Sequence, residues 1–349
     1  MVRNIKQINF SNLLGWVSLT LLTLVTFGTL AVVYVKSHNN FTLTPADFKI
    51  IKFTAYQALI SATISSILGI FLARALTRQS FIGKSILIII LGAPFILPVV
   101  VAILGLISVF GRNGLFNNIL EILGFENISI YGFHGIIIAN IFFNLPLVSR
   151  LLLHGWNSIP TEQLRLAESL GFNKKDIFFL IELPMLRTRL PGIFAVVFLI
   201  CVSSFSIALT LGGGPKSTTI ELAIYQAFRY DFDLSKAANL AMIQFILCFM
   251  ITVIVIWTQK TQSFQVSFDR VMVKWTKSNN NLIDWTIICL SSIFLIIPLL
   301  IILIEGLFSL HLIDSAILVS LGRSILVAFG AVIICLFVTF SLGNVIVTS

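Results

Sequence analysis

Long apolar runs alternate with short polar segments over the whole length of the chain. Eight of them, 13–35, 53–75, 86–110, 135–153, 189–211, 237–257, 285–308 and 317–342, have the length that carries a helix across a bilayer, about 20 residues. The pattern predicts eight membrane-spanning helices. The first run is longer than the apolar part of a secretory signal and ends at Tyr34-Val35 without a small-x-small exit, so it reads as a retained span. Pro94 and Pro98 lie near the start of the third run, where they free backbone groups that neighbouring helices must satisfy. That helix is therefore expected inside a bundle. Segment 38–52 reads as a polar loop and 111–134 as a glycine-rich, slightly acidic one.

One polar stretch, 161–191, differs from the rest because it carries charges and apolar residues at helical spacing. Thr161 is placed to cap a first short helix with Glu162 in its opening turn, and Gly171 to end it in the left-handed conformation. Asn173 is placed to cap a second short helix, 174–182, with Asp176 near its positive end, before Pro184 and Pro191 interrupt the pattern. Leu164, Ala167 and Leu170 on the first helix, with Ile177, Leu180 and Ile181 on the second, make two apolar faces expected to close on each other. A DNA-binding helix-turn-helix looks locally similar, but one tethered at both ends to spans could hardly enter a groove.

Composition agrees with the pattern: 58% hydrophobic and 11% charged residues leave too little polar surface for a soluble domain. A net charge of +9 would point to nucleic acid only if the basic residues formed a patch, and they fall mainly in alternate loops instead. With the N-terminus inside, the inner segments hold 15 Lys and Arg and the outer ones seven, despite Lys36, Lys49 and Lys52 in the first outer loop. The positive-inside rule thus places the N-terminus and 161–184 in the cytoplasm. Cys201, Cys248, Cys289 and Cys335 fall one to a run without C-x-x-C or Cys/His spacing, and read as small buried hydrophobes, not disulfides or metal ligands.

The 161–184 stretch resembles the cytoplasmic coupling loop of ABC importer permeases, E-A-A-x3-G-x9-I-x-L-P. Ala167, Gly171, Ile181, Leu183 and Pro184 fall on its positions, while Arg165 and Leu166 replace the Glu and first Ala, and Glu168 comes three residues after the expected Glu. A second likeness, Leu211-Gly-Gly-Gly-Pro-Lys-Ser and onward to Asp233 together with 93–98 in the third run, is similar to the thiamine-uptake permeases of that group and, more distantly, to their iron(III) relatives. The resemblance implies an all-α membrane protein. It would comprise a six-span permease unit (1–258), a cytoplasmic connector (259–284) and the first two spans of a second unit (285–349), like the first two thirds of a fused two-half permease. A weak internal echo between the two ends of the chain points the same way.

The resemblance further implies a transporter subunit of the bacterial inner membrane, not an enzyme, with no cofactor of its own. Its partners would be a cytoplasmic ABC ATPase dimer that binds the ATP, a periplasmic substrate-binding protein, the lipid bilayer and, since one coupling loop is present, a second permease half. Nucleic acid is not among them. Arg165, Ala167, Glu168, Gly171, Ile181, Leu183 and Pro184 would engage the ATPase. Ser203, Ser206 and Thr210, at helical spacing in the fifth run, are read either as a substrate path or as helix contacts. Tyr225, Tyr230, Asp231 and Asp233, with Glu221, suit a cationic aromatic cargo, a docking protein or plain solvation. Gln57, Asn140, Asn144 and Gln244 are expected to bond between helices. A phosphate loop at 210–217 is excluded, since Thr210 and Pro215 stand where glycines are required; Thr219 there would cap a helix instead. An iron(III) or other small-solute permease is the nearest alternative. An ion-coupled transporter is the next, disfavoured because runs two to six place no Asp, Glu, Lys or Arg at mid-membrane.

Overall fold

The computed structural model describes residues 10–38, 44–258, 282–309, 311 and 314–348; the N-terminal tail with Arg3 and Lys6 and all of the connector but its last three residues lie outside them. Within the described residues every regular element is helical. Two compact units are present. The smaller pairs α1 (Phe10–His38) with the last helix, Ser315–Thr348, through a buried hydrogen bond from the Ser18 hydroxyl to that of Ser341 at 3.2 Å. The remainder, Thr42–Ile304, carries the functional regions. Among the described residues eight helical stretches are long and apolar enough to cross a membrane.

The larger unit is built on α2 (Pro45–Arg78). It begins eight residues before the expected span because Thr44 and Asp47 form a capping box, Thr44 N donating to Asp47 Oδ2 at 2.9 Å, with Pro45 pre-set for the first turn. Lys49 and Lys52 therefore ride on a helix and not in a loop. Further along, Ser61, Ser65, Gly69 and Ala73 recur every four residues on one buried face. Small residues at this spacing let two backbones approach closely.

The third apolar run is not one helix. It divides into α3 (Lys84–Ile90), α4 (Ala93–Ile96) and α5 (Val99–Phe110), because Pro94 and Pro98 lack the N–H that would continue the ladder and each starts a new helix instead. The expected burial holds, with Ala102, Ile103 and Leu106 nearly inaccessible. The segment expected as a loop contains α6 (Leu115–Ile122). The buried Asn117 pins it, donating to the carbonyls of Gly111 and Ile128 at 2.8 and 2.9 Å. Next, α7 (Phe133–Asn157) packs along α2, setting Val148 and Ser149 over Gly69.

After the short α8 (Thr161–Ser169) come α9 (Lys174–Ile177), a wide turn over Phe178–Glu182, and α10 (Leu183–Val202), which together form one span, Lys174–Val202. Pro184 and Pro191 do not interrupt it. In the wide turn Leu183 N donates to Phe178 O, five residues back, so the carbonyl that would meet the Pro184 ring is displaced from the normal helical position. The fifth span consequently starts 15 residues earlier than expected and stops at Val202. It resumes as α11 (Phe205–Leu211), followed by α12 (Ile220–Arg229), α13 (Leu234–Thr258), α14 (Leu282–Phe308) and α15, the terminal helix.

Candidate coupling site and translocation path

At the end of the bundle where α2 finishes, the short helices are shaped by local chemistry. Pro160, not Thr161, stands at the N-cap of α8; the Thr161 hydroxyl meets the Glu162 carboxylate at 3.4 Å and reaches no backbone N–H. The other end follows the sequence. Gly171 has φ +69°, its N–H donates to Glu168 O, and Phe172 N donates to Ala167 O at 2.9 Å, the paired bonds that close a helix through a left-handed residue. Asn173 N then donates to Asp176 Oδ2 at 2.9 Å.

The two apolar faces do not close fully on each other. Ala167 is buried, but Leu170 and Leu180 are exposed at 67% and 61%, and Leu166 and Phe179 are exposed with them. The reason is that Glu182, not an apolar residue, anchors the second helix. Its carboxylate is completely buried and lies 2.7 Å from Arg74 Nε and 3.6 Å from Arg78 Nη2, both on α2. The Arg74 guanidinium also stands over the Phe178 ring at 4.8 Å. A buried carboxylate held by two arginines and a cation–π contact joins the short helices to a membrane span as a stiff link.

Of the sequence-named residues, Ile181 and Leu183 flank Glu182 and are half-buried; Arg165, Glu168, Gly171 and Pro184 are exposed. The seven therefore do not form one cluster. Sequence reading missed Glu182 as a site residue because it occupies an unspecified position of the motif, and its partners come from a distant span. The available signal was the pair of arginines ending α2, Arg74 and Arg78, which call for a carboxylate partner.

The far end of α2 holds the other candidates. Thr54 Oγ1 accepts from Ile220 N at 2.9 Å, so the glycine-rich segment and the Arg74–Glu182 link lie at opposite ends of one helix, about 30 Å apart by helical rise. That separation matches a hydrocarbon core. Gly213 and Gly214 take positive φ, and Gly213 packs against Gly132 closely enough that a Cβ would sit 3.2 Å from Gly132 N. Thr219 caps α12 as expected, accepting from Leu222 N.

Between these ends runs a buried polar network. Gln57 Nε2 donates to Cys201 O at 2.8 Å, Asn140 Nδ2 to Gln57 Oε1 at 3.1 Å, and Asn144 Nδ2 to Asn140 O at 2.8 Å. Gln244 similarly donates to Glu221 Oε1 at 2.8 Å. Asn144 Nδ2 also reaches Cys201 Sγ on α10 at 3.3 Å, so the interhelical role expected for the four amides is seen. Cys201 O, taken by Gln57 and by the Ser204 hydroxyl, is lost to the helical ladder; Phe205 N turns to Ser203 O instead, and the span breaks there. Ser203 thus does not share a continuous helix face with Ser206 and Thr210, and the Ser203 and Thr210 hydroxyls bond back to carbonyls of their own helices. A broken span at membrane depth marks a place where backbone lines protein or a cavity.

Beside the break, Phe205, Tyr225 and Tyr230 stack edge to face, with centroids 5.1 and 5.9 Å apart. Asp231 and Asp233 are exposed, and Asp233 accepts from Lys236 N at 2.9 Å, capping α13.

The family described as binding-protein-dependent transport system inner membrane component matches residues 65–260, more than half of the chain, including Arg74, Glu182 and the glycine-rich segment. The chain belongs to that family. The thiamine transport system permease protein ThiP of Escherichia coli (strain K12) is 40% identical over 262 residues, 74% of this chain and 48% of the relative. ThiP of Brucella abortus (strain 2308) is 35% identical over 302 residues, covering 84% and 56%. The chain thus spans about half the length of the curated relatives it matches. Among solved structures, a bacterial alginate ABC transporter in complex with alginate pentasaccharide-bound periplasmic protein shares the permease fold, with a TM-score of 0.58 at 18% identity over 74% of this chain and 96% of that one.

Proposed function

We propose that the chain provides part of the membrane pathway of an ATP-driven importer for thiamine or its phosphates, working with a periplasmic binding protein and a separate cytoplasmic ATPase. The observation that carries the reading is the short-helix end: exposed apolar residues on α8 and the wide turn, mounted on a span by the buried Glu182–Arg74 pair. Family membership and the kinship with thiamine permeases support the cargo. In this reading the N-terminus and α8 are cytoplasmic, the ATPase covers Leu166, Leu170, Phe179 and Leu180, and its closure moves α8 and α9. Motion passes through Glu182 to α2 and through α10 to the break at Ser203, where the path opens alternately to either side. Residues 1–258 act as the six-span unit, and a second permease half completes the path.

Gly171 tests the coupling. A Cβ there meets nothing within 4 Å, so a larger side chain strains only the left-handed backbone, by about 1–2 kcal/mol. Gly171→Leu is expected to insert and fold, yet to lose ATPase binding and thiamine uptake in cells carrying the whole transporter. Normal uptake by this variant would sink the docking assignment.

The aromatic cluster tests the cargo. If Tyr225 offers its ring to the thiazolium or pyrimidine of thiamine, Tyr225→Leu removes about 1 kcal/mol of cation–π attraction, roughly a fivefold weaker half-saturation for uptake. Labelled-thiamine uptake measures this, with excess unlabelled thiamine competing and ferric citrate not. Competition by the iron salt would transfer the assignment to the iron(III) alternative.

A further inference from the structure

Two adjoining depressions lie on the side of the coupling end and share Arg74 and Phe178. The first, about 320 Å³, is walled mainly by the apolar Ile70, Phe71, Leu183, Leu186 and Leu190, together with Arg187. The second, about 270 Å³, is ringed by Arg74, Arg78, Lys174 and Lys175. Against these four cations stand two buried carboxylates, Glu182 and Asp284, the latter close enough to act on Arg78. Lys174 and Lys175 are exposed and the charge balance of the groove stays positive. Cations crowded at the end of a span beside a greasy slot match one kind of molecule: an amphiphile with an anionic head. A free anion would leave the slot empty, and an uncharged lipid would leave the cations unmatched.

From this juxtaposition we propose that the groove binds an anionic phospholipid of the cytoplasmic leaflet, its phosphate among Arg74, Lys174 and Lys175 and an acyl chain against Phe71, Leu186 and Leu190. The side assigned to the groove rests on the topology proposed above; the chemistry of the groove does not. Basic pockets between spans at that surface are suited to anionic headgroups. A bound lipid there touches both α2 and the helix carrying Glu182, so it braces the coupling link from the bilayer side.

The test uses the whole chain purified in a neutral detergent, without ATPase or cargo, so that its outcome is independent of the transport assignment. Thermal unfolding is followed while dioctanoyl-phosphatidylglycerol, dioctanoyl-phosphatidylcholine or inorganic phosphate is added. Phosphatidylglycerol is expected to raise the midpoint saturably, with half-effect at a concentration at least tenfold below that of phosphatidylcholine, and phosphate to have no effect. Lys174→Gln/Lys175→Gln, a change confined to exposed side chains, is expected to erase the preference between the two lipids. Leu190→Trp, which fills the apolar slot, is expected to weaken binding of both. Equal responses to the two lipids, or a phosphate effect matching that of phosphatidylglycerol, would overturn the proposal. So would a lysine variant that keeps its preference for phosphatidylglycerol.

Discussion

Replacing Glu182 with alanine is expected to cost about 3 kcal/mol of stability, the lower part of the range for removing one partner of a buried ion pair, and to abolish thiamine-dependent stimulation of the ATPase. The carboxylate is wholly buried while the Arg74 and Arg78 side chains keep 25% and 16% of their exposure. Removing it leaves two guanidinium groups facing each other with only partial access to water, and water can offset part of the loss for them. Equilibrium unfolding in mixed micelles measures the first effect. A double variant separates the second: with Arg74→Met and Glu182→Met together, the buried charges go and apolar bulk replaces them, so much of the stability should return. ATPase stimulation should not return, because a close charge pairing that fixes the two helices has been exchanged for apolar contacts that can slide. A double variant as unstable as the sum of its parts would show that the two residues do not act as a pair.

Gly69→Leu is expected to prevent assembly of the larger unit, and Gly69→Ala to cost about 1–3 kcal/mol, the usual penalty for forcing atoms into a packed interior. A Cβ on Gly69 would overlap Val148 Cγ1 and lie 2.7 Å from Val148 Cβ, and Val148 is itself inaccessible to solvent, with no space to rotate into. The small face of α2 and its partner α7 therefore cannot separate by a methyl group without disturbing the Gln57–Asn140 bond and the Arg74–Glu182 link on the same helix. The expected readouts are loss of monodisperse protein on extraction for the leucine variant and a lowered unfolding midpoint for alanine. A leucine variant that extracts and unfolds like the parent would mean that α2 and α7 are not in this contact. Gly28, on α1, has open space around its would-be Cβ and serves as the neutral control.

Several features were open to a reader of the residues alone, each for a local reason. The number of spans follows from runs of about 20 apolar residues, since a single run of that length satisfies its own backbone groups in lipid as a helix. Gly171 closes α8 because its neighbours leave only a left-handed residue to turn the chain, and Thr219 caps α12 because its hydroxyl reaches an N–H three residues on. The Ala167–Pro184 spacing and the likeness to importer permeases rest on residues that keep their order in the chain. The regular recurrence of Ser61, Ser65, Gly69 and Ala73 was also present in the sequence as a packing signal.

Other features depended on groups far apart in the chain, and no local pattern carries them. Pro184 stays within a helix because a wide turn absorbs its clash, and the same turn ends on the Glu182 that meets Arg74 and Arg78. The fifth span breaks at Ser203 because Gln57, 144 positions away, takes the carbonyl of Cys201. Leu170 and Leu180 stay exposed because an ion pair, not apolar closure, positions the second short helix. Membrane helices and family were thus legible from short-range periodicity and spacing, while the ion pair that holds the short-helix end and the break after Val202 arose from side chains competing for distant backbone and charge, which only packing brings together.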